Sequence, residues 1–245
     1  MRNIKLLIEY DGTGYHGWQV QPNALTIQEV IEEKLAILTR HPVRLIASGR
    51  TDAGVHALGQ VAHFQTDSGI PAEGIQRGLN SLLPPDIAIQ SAEEADLGFH
   101  AQYGAKRKTY RYIILNRRTA SALRRNYCWH IPLPLDFPAM QNASAALLGK
   151  KDFSSFQGAD ADTEDPVREV FRAEWSAEET NFLHFTIEAD GFLKHMVRNI
   201  VGTLVEAGKG KISAEDFKGV IAARDRRRAG MTAPARGLFL LQVKY

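Results

Sequence analysis

The order of apolar and polar positions divides the chain into alternating strand and helix patterns. Residues 3–10 read as a strand and run into a glycine-rich loop. Residues 26–39 carry Ile27, Val30, Ile31, Leu35 and Leu38 at helical spacing, with Thr26 as N-cap and Glu29 at the capping-box position. Short strands are predicted at 43–47 and 59–66. Pro71 opens a helix over 72–82, Pro84-Pro85 ends it, and 86–92 forms another strand. The order is β-α-β-β-α-β, the split βαβ or ferredoxin-like arrangement.

The second half roughly repeats that order. It predicts a strand at 106–115, a helix at 137–148, and strands at 168–177 and 181–189 that meet near Glu178–Thr180. In the latter strand Leu183, Phe185, Ile187 and Ala189 alternate with His184, Thr186, Glu188 and Asp190, as in a sheet with one wet face. Helices follow at 192–207 and 213–224, the second with Ser213 as N-cap, and 237–244 closes as a strand. The expected fold is α+β, with two α/β halves at 1–102 and 103–245 whose sheets can join into one, helices on one face. The repeat lies in the order of elements, not in the residues.

Composition narrows the class. The 245 residues are 44% hydrophobic and 24% charged, ordinary for a folded globular chain and unlike a disordered one. The single cysteine, Cys128, excludes an internal disulfide framework and a Cys-rich zinc site. No apolar run approaches the ~18 residues of a membrane span. The start of the chain enters a strand pattern at once, without a secretory pattern. These features predict a reduced, cytoplasmic protein with no membrane partner.

The formal net charge of +2 argues weakly against a nucleic-acid partner until its distribution is considered. Between Asp96 and Asp136 there is no acidic residue and there are eight basic ones: Lys106, Arg107, Lys108, Arg111, Arg117, Arg118, Arg124 and Arg125. The remainder holds 22 basic against 28 acidic residues, or −6. Tyr103, Tyr110, Tyr112, Tyr127 and Trp129 interleave with these cations. Cations for phosphates mixed with rings for bases suit a folded RNA; a solvated basic strand and loop is the plainer alternative. Arg224 and Arg226–Arg228 lie at the end of a predicted helix, where the macrodipole favours cations. Asp160, Asp162, Glu164 and Asp165 read as an exposed acidic loop.

Four segments could carry chemistry. Gly12–Gly17 matches G-x-G-x-x-G after a strand, but Trp18–Asn23 intervene before the helix, so pyrophosphate would not meet free helix amides. Those glycines instead permit a tight loop, with Tyr15 and Trp18 packed or displayed for stacking. Residues 48–57 form a Gly-bounded loop between two strands, with Arg50 two positions before Asp52. In an extended segment both side chains project to one side, and an arginine keeps a neighbouring carboxylate ionised. Such a carboxylate can act as nucleophile or base; the alternative is an Asp bonded to local turn amides. On the third segment, Lys108, Tyr110 and Tyr112 face one side of a strand and Thr109 and Arg111 the other. The fourth, Gly191–Gly202, opens a helix whose stripe of Leu193, Met196, Val197, Ile200, Val201 and Leu204 is core, with Lys194 and Arg198 on its polar flank. The eight histidines show no H-x-x-x-H or H-E-x-x-H spacing, so no metal site is predicted.

In combination these stretches resemble the TruA family of tRNA pseudouridine synthases. The resemblance rests on Tyr10-Asp11-Gly12-Thr13 through Gly17-Trp18-Gln19, Gly49–Ala57, Lys108–Tyr112, Phe153–Phe156, Gly191-Phe192-Leu193 with Met196-Val197-Arg198, and Ala233-Pro234-Ala235 to Tyr245. It covers essentially the whole chain, and the loop around Asp52 is its most specific part. One departure is Lys151 before Asp152, where His-Asp-Phe is more usual, so no role is carried to position 151.

The resemblance implies the pseudouridine synthase fold, with two RNP-like halves sharing a mixed, mostly antiparallel sheet. It implies that Asp52 attacks a flipped-out uridine of tRNA covalently, that Arg198 pairs with Asp52, and that Tyr110 packs on the uridine and can take up the C5 proton. Arg50 would contact RNA and help extrude the nucleotide, with Lys108 and Arg111 as further substrate contacts. Similar enzymes act at tRNA positions 38–40, work as homodimers, and need neither cofactor nor metal. The remaining readings are a non-catalytic RNA-binding module and, on the Gly12–Gly17 loop alone, a nucleotide-dependent enzyme.

Overall fold

A computed structural model describes residues 1–159, 165–178 and 181–245. Among them the chain forms two compact units, Met1–Lys106 with Phe239–Tyr245, and Arg107–Leu238. The expected division at 102/103 therefore moves to 106/107. Residues 239–245 also leave the second half, because their strand finds its partner in the first.

In the first unit β1 (Arg2–Tyr10) lies between β3 (His56–Thr66) and β4 (Ile87–Ala95), antiparallel to both. Ile4, Leu6 and Ile8 alternate along β1 and are wholly buried. α1 (Ile27–Thr39) starts as its sequence dictates, with the Thr26 side chain accepting the Glu29 amide. It buries Ile27, Val30, Ile31 and Leu35. α2 (Ala72–Leu82) buries Ile75 and Leu79 and receives Leu38 of α1 at Gly78, where a Cβ would lie 2.8 Å from the Leu38 side chain.

The strand expected at 43–47 shrinks to β2 (Ile46–Ala47). One cause is visible. The Leu45 amide donates to the Glu32 carboxylate at 2.8 Å and its carbonyl accepts the Gln28 amide at 3.0 Å, so helix side chains occupy groups a ladder would use. The far edge of β3 is also shared. β2 pairs antiparallel with Ala62 and His63, while β10 (Leu238–Lys244) runs parallel along His56 and Ala57.

In the second unit β5 (Arg107–Asn116), β9 (Phe182–Ala189), β8 (Val167–Ala177) and β7 (Gly149–Asp152) form an antiparallel sheet in that order, with β6 (Trp129–Ile131) parallel to β5. The turn expected near Glu178–Thr180 lies partly outside the described residues, as do Asp160, Asp162 and Glu164 of the acidic loop. β9 departs from the predicted wet face. Thr186 and Glu188 are buried, and the Glu188 carboxylate meets Arg107 Nη1 at 3.1 Å and Thr109 Oγ1 at 3.0 Å. Polar side chains are tolerated inside because they satisfy one another.

The helix expected at 137–148 is α3 (Phe137–Ser144), followed by a tighter 3-10 turn over Ala145–Leu147. α4 (Met196–Gly208) begins four residues later than the expected start at 192, because His195 adopts a left-handed conformation at φ 61°. All six predicted stripe residues are buried, and so are Asn199 and Thr203 on another side. α5 (Ala214–Ala223) has the predicted Ser213 cap, completed as a capping box by Asp216.

Gly202, within α4, faces the backbone of the 230–233 segment. A Cβ there would lie 1.7 Å from the Met231 carbonyl oxygen. Replacing it with alanine gains about 1 kcal/mol of helix propensity but pushes carbon into backbone that cannot rotate away. We expect Gly202→Ala to lose about 1–3 kcal/mol net, measured as a lower urea midpoint at unchanged m-value.

Candidate active site

Asp52 sits on the loop between β2 and β3, and the surrounding backbone explains why it is held there. The loop enters through Ser48, whose amide donates to Val61 O at 2.7 Å and whose hydroxyl bonds the buried Gln60 side chain at 2.7 Å. Gln60 Nε2 donates to Gly49 O at 3.0 Å. At the tip, the Val55 amide closes a turn onto Asp52 O at 3.1 Å, and Gly54 takes a positive φ of 77° that disfavours any other residue.

The Gly12–Gly17 segment packs directly on this loop. The Trp18 amide donates to Thr51 O at 3.1 Å and the Gly54 amide to Tyr15 O at 3.3 Å. A Cβ on Gly12 would lie 2.0 Å from Val55 O, and one on Gly17, which has φ 92°, 2.6 Å from Thr51 O. These glycines serve close backbone approach. No helix follows the third glycine, since α1 starts at Ile27, so the dinucleotide reading fails. Tyr15 and Trp18 are packed rather than displayed: both are buried, and the Tyr15 hydroxyl donates to Asp86 at 2.7 Å. Burial first, and then the Asp86 carboxylate, push the Tyr15 phenol well above its usual pKa. Tyr10, also buried, bonds the Thr51 hydroxyl at 2.7 Å. The result is an acid on a rigid platform: Thr51 and Val55 are buried, Asp52 between them is half-buried, and Arg50 is exposed.

The other residues singled out from the sequence lie in the second unit. Lys108, Tyr110 and Arg111 are on β5, in register with Ala189, Ile187 and Thr186 of β9. Tyr110 is buried and meets Phe192 edge-on, with ring centroids 5.1 Å apart. Phe192 comes from the stretch expected to be helix, and its packing on Tyr110 had no signal in the spacing. Lys108 is half-buried, and burial, helped by the Arg168 charge, lowers its pKa. Arg111 is half-buried, and its Nε has no hydrogen-bond partner among the described residues. Tyr112 is wholly buried, and its hydroxyl donates to Pro234 O at 2.7 Å, so it is a packing residue.

Arg198 is in the first turn of α4. Its Nε donates to Ala233 O at 2.8 Å, and the Ala233 amide returns a bond to Arg198 O at 3.1 Å. The 232–234 segment that holds it is itself fixed by Tyr112 and by Thr232, whose hydroxyl donates to Asn199 Oδ1 at 2.6 Å. Burial dominates the upward shift of the Tyr112 phenol, and the cations of Arg198 and Arg236 partly oppose it. The Arg198 charge therefore lies near that ring. Arg117, Arg118, Arg124 and Arg125 are all exposed. Arg226 is not a free cation: its guanidinium donates to Asn199 Oδ1, Thr232 Oγ1 and Ala229 O, which makes it a brace for α4.

Among the described residues no three His, Cys, Asp or Glu side chains are grouped so as to hold a metal ion, and no helix is long and apolar enough to cross a membrane.

Comparison with known proteins gives these placements a context. A family model described as tRNA pseudouridine synthase matches residues 6–104 and 143–245, which include Asp52 and Arg198. The chain is 50% identical over 245 residues to the tRNA pseudouridine synthase A of Acetivibrio thermocellus, covering 100% of both chains. It is 50% identical to that of Exiguobacterium sp. over 100% of this chain and 98% of the relative. With the protein of that name from Thermoanaerobacter sp. it shares 46% identity over the full length of both. A match over most of the chain, together with a full-length relative at half identity, decides the assignment. The chain belongs to the tRNA pseudouridine synthase family.

Proposed function

We propose that this protein isomerises uridine to pseudouridine at positions 38–40 of the tRNA anticodon stem-loop, with Asp52 as nucleophile. The observation that carries the reading is the Asp52 platform: a half-buried carboxylate on a backbone-locked turn, inside the family-matched region. Relatives are named tRNA pseudouridine synthase A. The reaction is balanced within the substrate. Asp52 attacks the flipped-out nucleotide and bonds to it, the N1–C1′ bond breaks, the base turns, and a C5–C1′ bond forms while the bond to Asp52 breaks and its carboxylate is regenerated. C5 gives up a proton and N1 gains one, so no oxidant, reductant or nucleotide is consumed. A single carboxylate suits this chemistry better than glycoside hydrolysis, which normally uses two.

In this reading Arg198 is the partner of the Asp52 carboxylate, as the family resemblance implies. Tyr110 stacks on the extruded uracil, with its hydroxyl as acceptor for the C5 proton. Arg50, exposed beside the nucleophile, meets the RNA backbone and helps extrude the nucleotide, while Lys108 and Arg111 add substrate contacts. Unstacking a base costs a few kcal/mol, which phosphate pairing by the exposed arginines offsets. The enzyme works in the cytoplasm as a homodimer without cofactor or metal, as the family resemblance implies.

Three outcomes test this. Asp52→Asn binds tRNA within about twofold of wild type, since one uncharged swap leaves the phosphate pairing intact, yet forms no pseudouridine under single-turnover conditions. Product from that variant rules out the nucleophile. Tyr110→Phe keeps the stacking ring and loses about 10²-fold or more in kcat if its hydroxyl moves the proton; an unchanged rate assigns the ring to stacking alone. Replacing Arg117, Arg118, Arg124 and Arg125 together by alanine weakens tRNA binding and lowers the log–log salt slope by about 0.9 for every phosphate no longer neutralised. An unchanged slope places the RNA track elsewhere.

A further inference from the structure

Tyr103 lies in the acid-free basic window, and neither the Asp52 loop nor β5 uses it. It stands on a tight turn of the first unit. The Gly104 amide donates to His100 O at 2.9 Å, and the Gln102 and Tyr103 amides both approach His100 Nδ1 at 3.2 Å. A Cβ at Gly104 would lie 2.9 Å from His100 O, so the turn leaves no slack. Three neighbours clamp it. The buried Ala101 donates its amide to His63 Nδ1 at 3.1 Å and accepts the Tyr245 hydroxyl at 2.8 Å, and the Lys106 amide donates to Lys244 O at 2.8 Å.

On this fixed base the Tyr103 ring lies on the His100 imidazole, centroids 4.3 Å apart and planes 26° from parallel. It is nevertheless 82% exposed, so the face away from His100 is open to water. The other Phe, Tyr or Trp ring that stands exposed among the described residues, Phe171, is already covered by the Arg107 guanidinium at 4.0 Å. Keeping an apolar ring in water forgoes the free energy of burying it, and the clamps hold it there. Lys106, three residues on, is exposed, and no acidic residue occurs from 97 to 135. An open ring with a rigid backing and an exposed lysine three residues on matches the way proteins hold unpaired bases: stacking on the ring, with cations for the phosphates.

We propose that Tyr103 is a stacking platform for an unpaired base of the tRNA, distinct from the reacting uridine. This rests on the reading of the chain as a tRNA enzyme and adds a point of recognition to it.

The test compares wild type with Tyr103→Ala, Tyr103→Leu and Tyr103→Phe, by equilibrium binding of unmodified tRNA and by steady-state pseudouridine formation. Tyr103→Ala and Tyr103→Leu are expected to bind about 5- to 100-fold more weakly, with KM raised in step and kcat at saturation retained. Tyr103→Phe stays within about twofold, because the π-face is kept. The salt slope is unchanged in all three, since no cation is removed. Equal thermal midpoints separate these effects from unfolding. Wild-type affinity in Tyr103→Ala overturns the proposal, and wild-type affinity in Tyr103→Leu reduces the interaction to apolar area and overturns stacking. Failure of the wild type to modify bound tRNA is a different result: it defeats the enzymatic reading, while the binding comparison still decides the platform.

Discussion

Two stretches of backbone approach each other so closely at Gly12–Val55 and Gly17–Thr51 that neither tolerates a Cβ. A loop has no ladder of its own, so its peptide groups must find partners elsewhere. For the Asp52 loop those partners are Trp18, Tyr15 and the Ser48–Gln60 pair. The 12–18 segment is anchored in turn by α1, whose first amides donate to Gly17 O and Trp18 O. The helix start therefore sets the loop, and the loop sets the carboxylate. A side chain placed this way loses little conformational entropy when it makes a contact.

The second unit uses the same device. Gly202 lets a chain segment cross α4, and Gly237 lets another lie against Tyr112, whose ring would be 2.7 Å from an added Cβ. Between these points the 232–234 segment grips Arg198 from two directions. Polar groups inside are satisfied in clusters. Asn199 links Phe156, Arg226 and Thr232, and Glu188 links Arg107 and Thr109. Removing one member of such a cluster strands the others, which costs more than a single hydrogen bond contributes.

Much of this was legible along the chain because it is local. The α1 stripe with Thr26, the Ser213 cap of α5, and the alternation of β1 and β5 follow from spacing alone. The Gly-bounded loop around Asp52 was equally readable as a motif. What escaped depends on distant partners. β2 is short because side chains of α1 take up the backbone groups of Leu45. β7, reading Gly-Lys-Lys-Asp, has no apolar alternation and is a strand only because β8 lies beside it. Thr186 and Glu188 look solvent-facing until their partners on β5 are known. The purpose of Gly12 and Gly17 could not be read from a pattern that also fits nucleotide loops; it required the opposing carbonyls.

The path of β10 has a consequence for the order of assembly. The first unit takes its parallel strand from residues made only after the whole second unit has been synthesised. Until then the His56 end of β3, directly after the Asp52 loop, has an open edge, and the turn beneath Tyr103 lacks its bond from Tyr245. The N-terminal segment supplies β1, α1 and α2, but its sheet is complete only once β10 has been made. The Asp52 loop is thus encoded early, while the sheet edge directly after it is completed late.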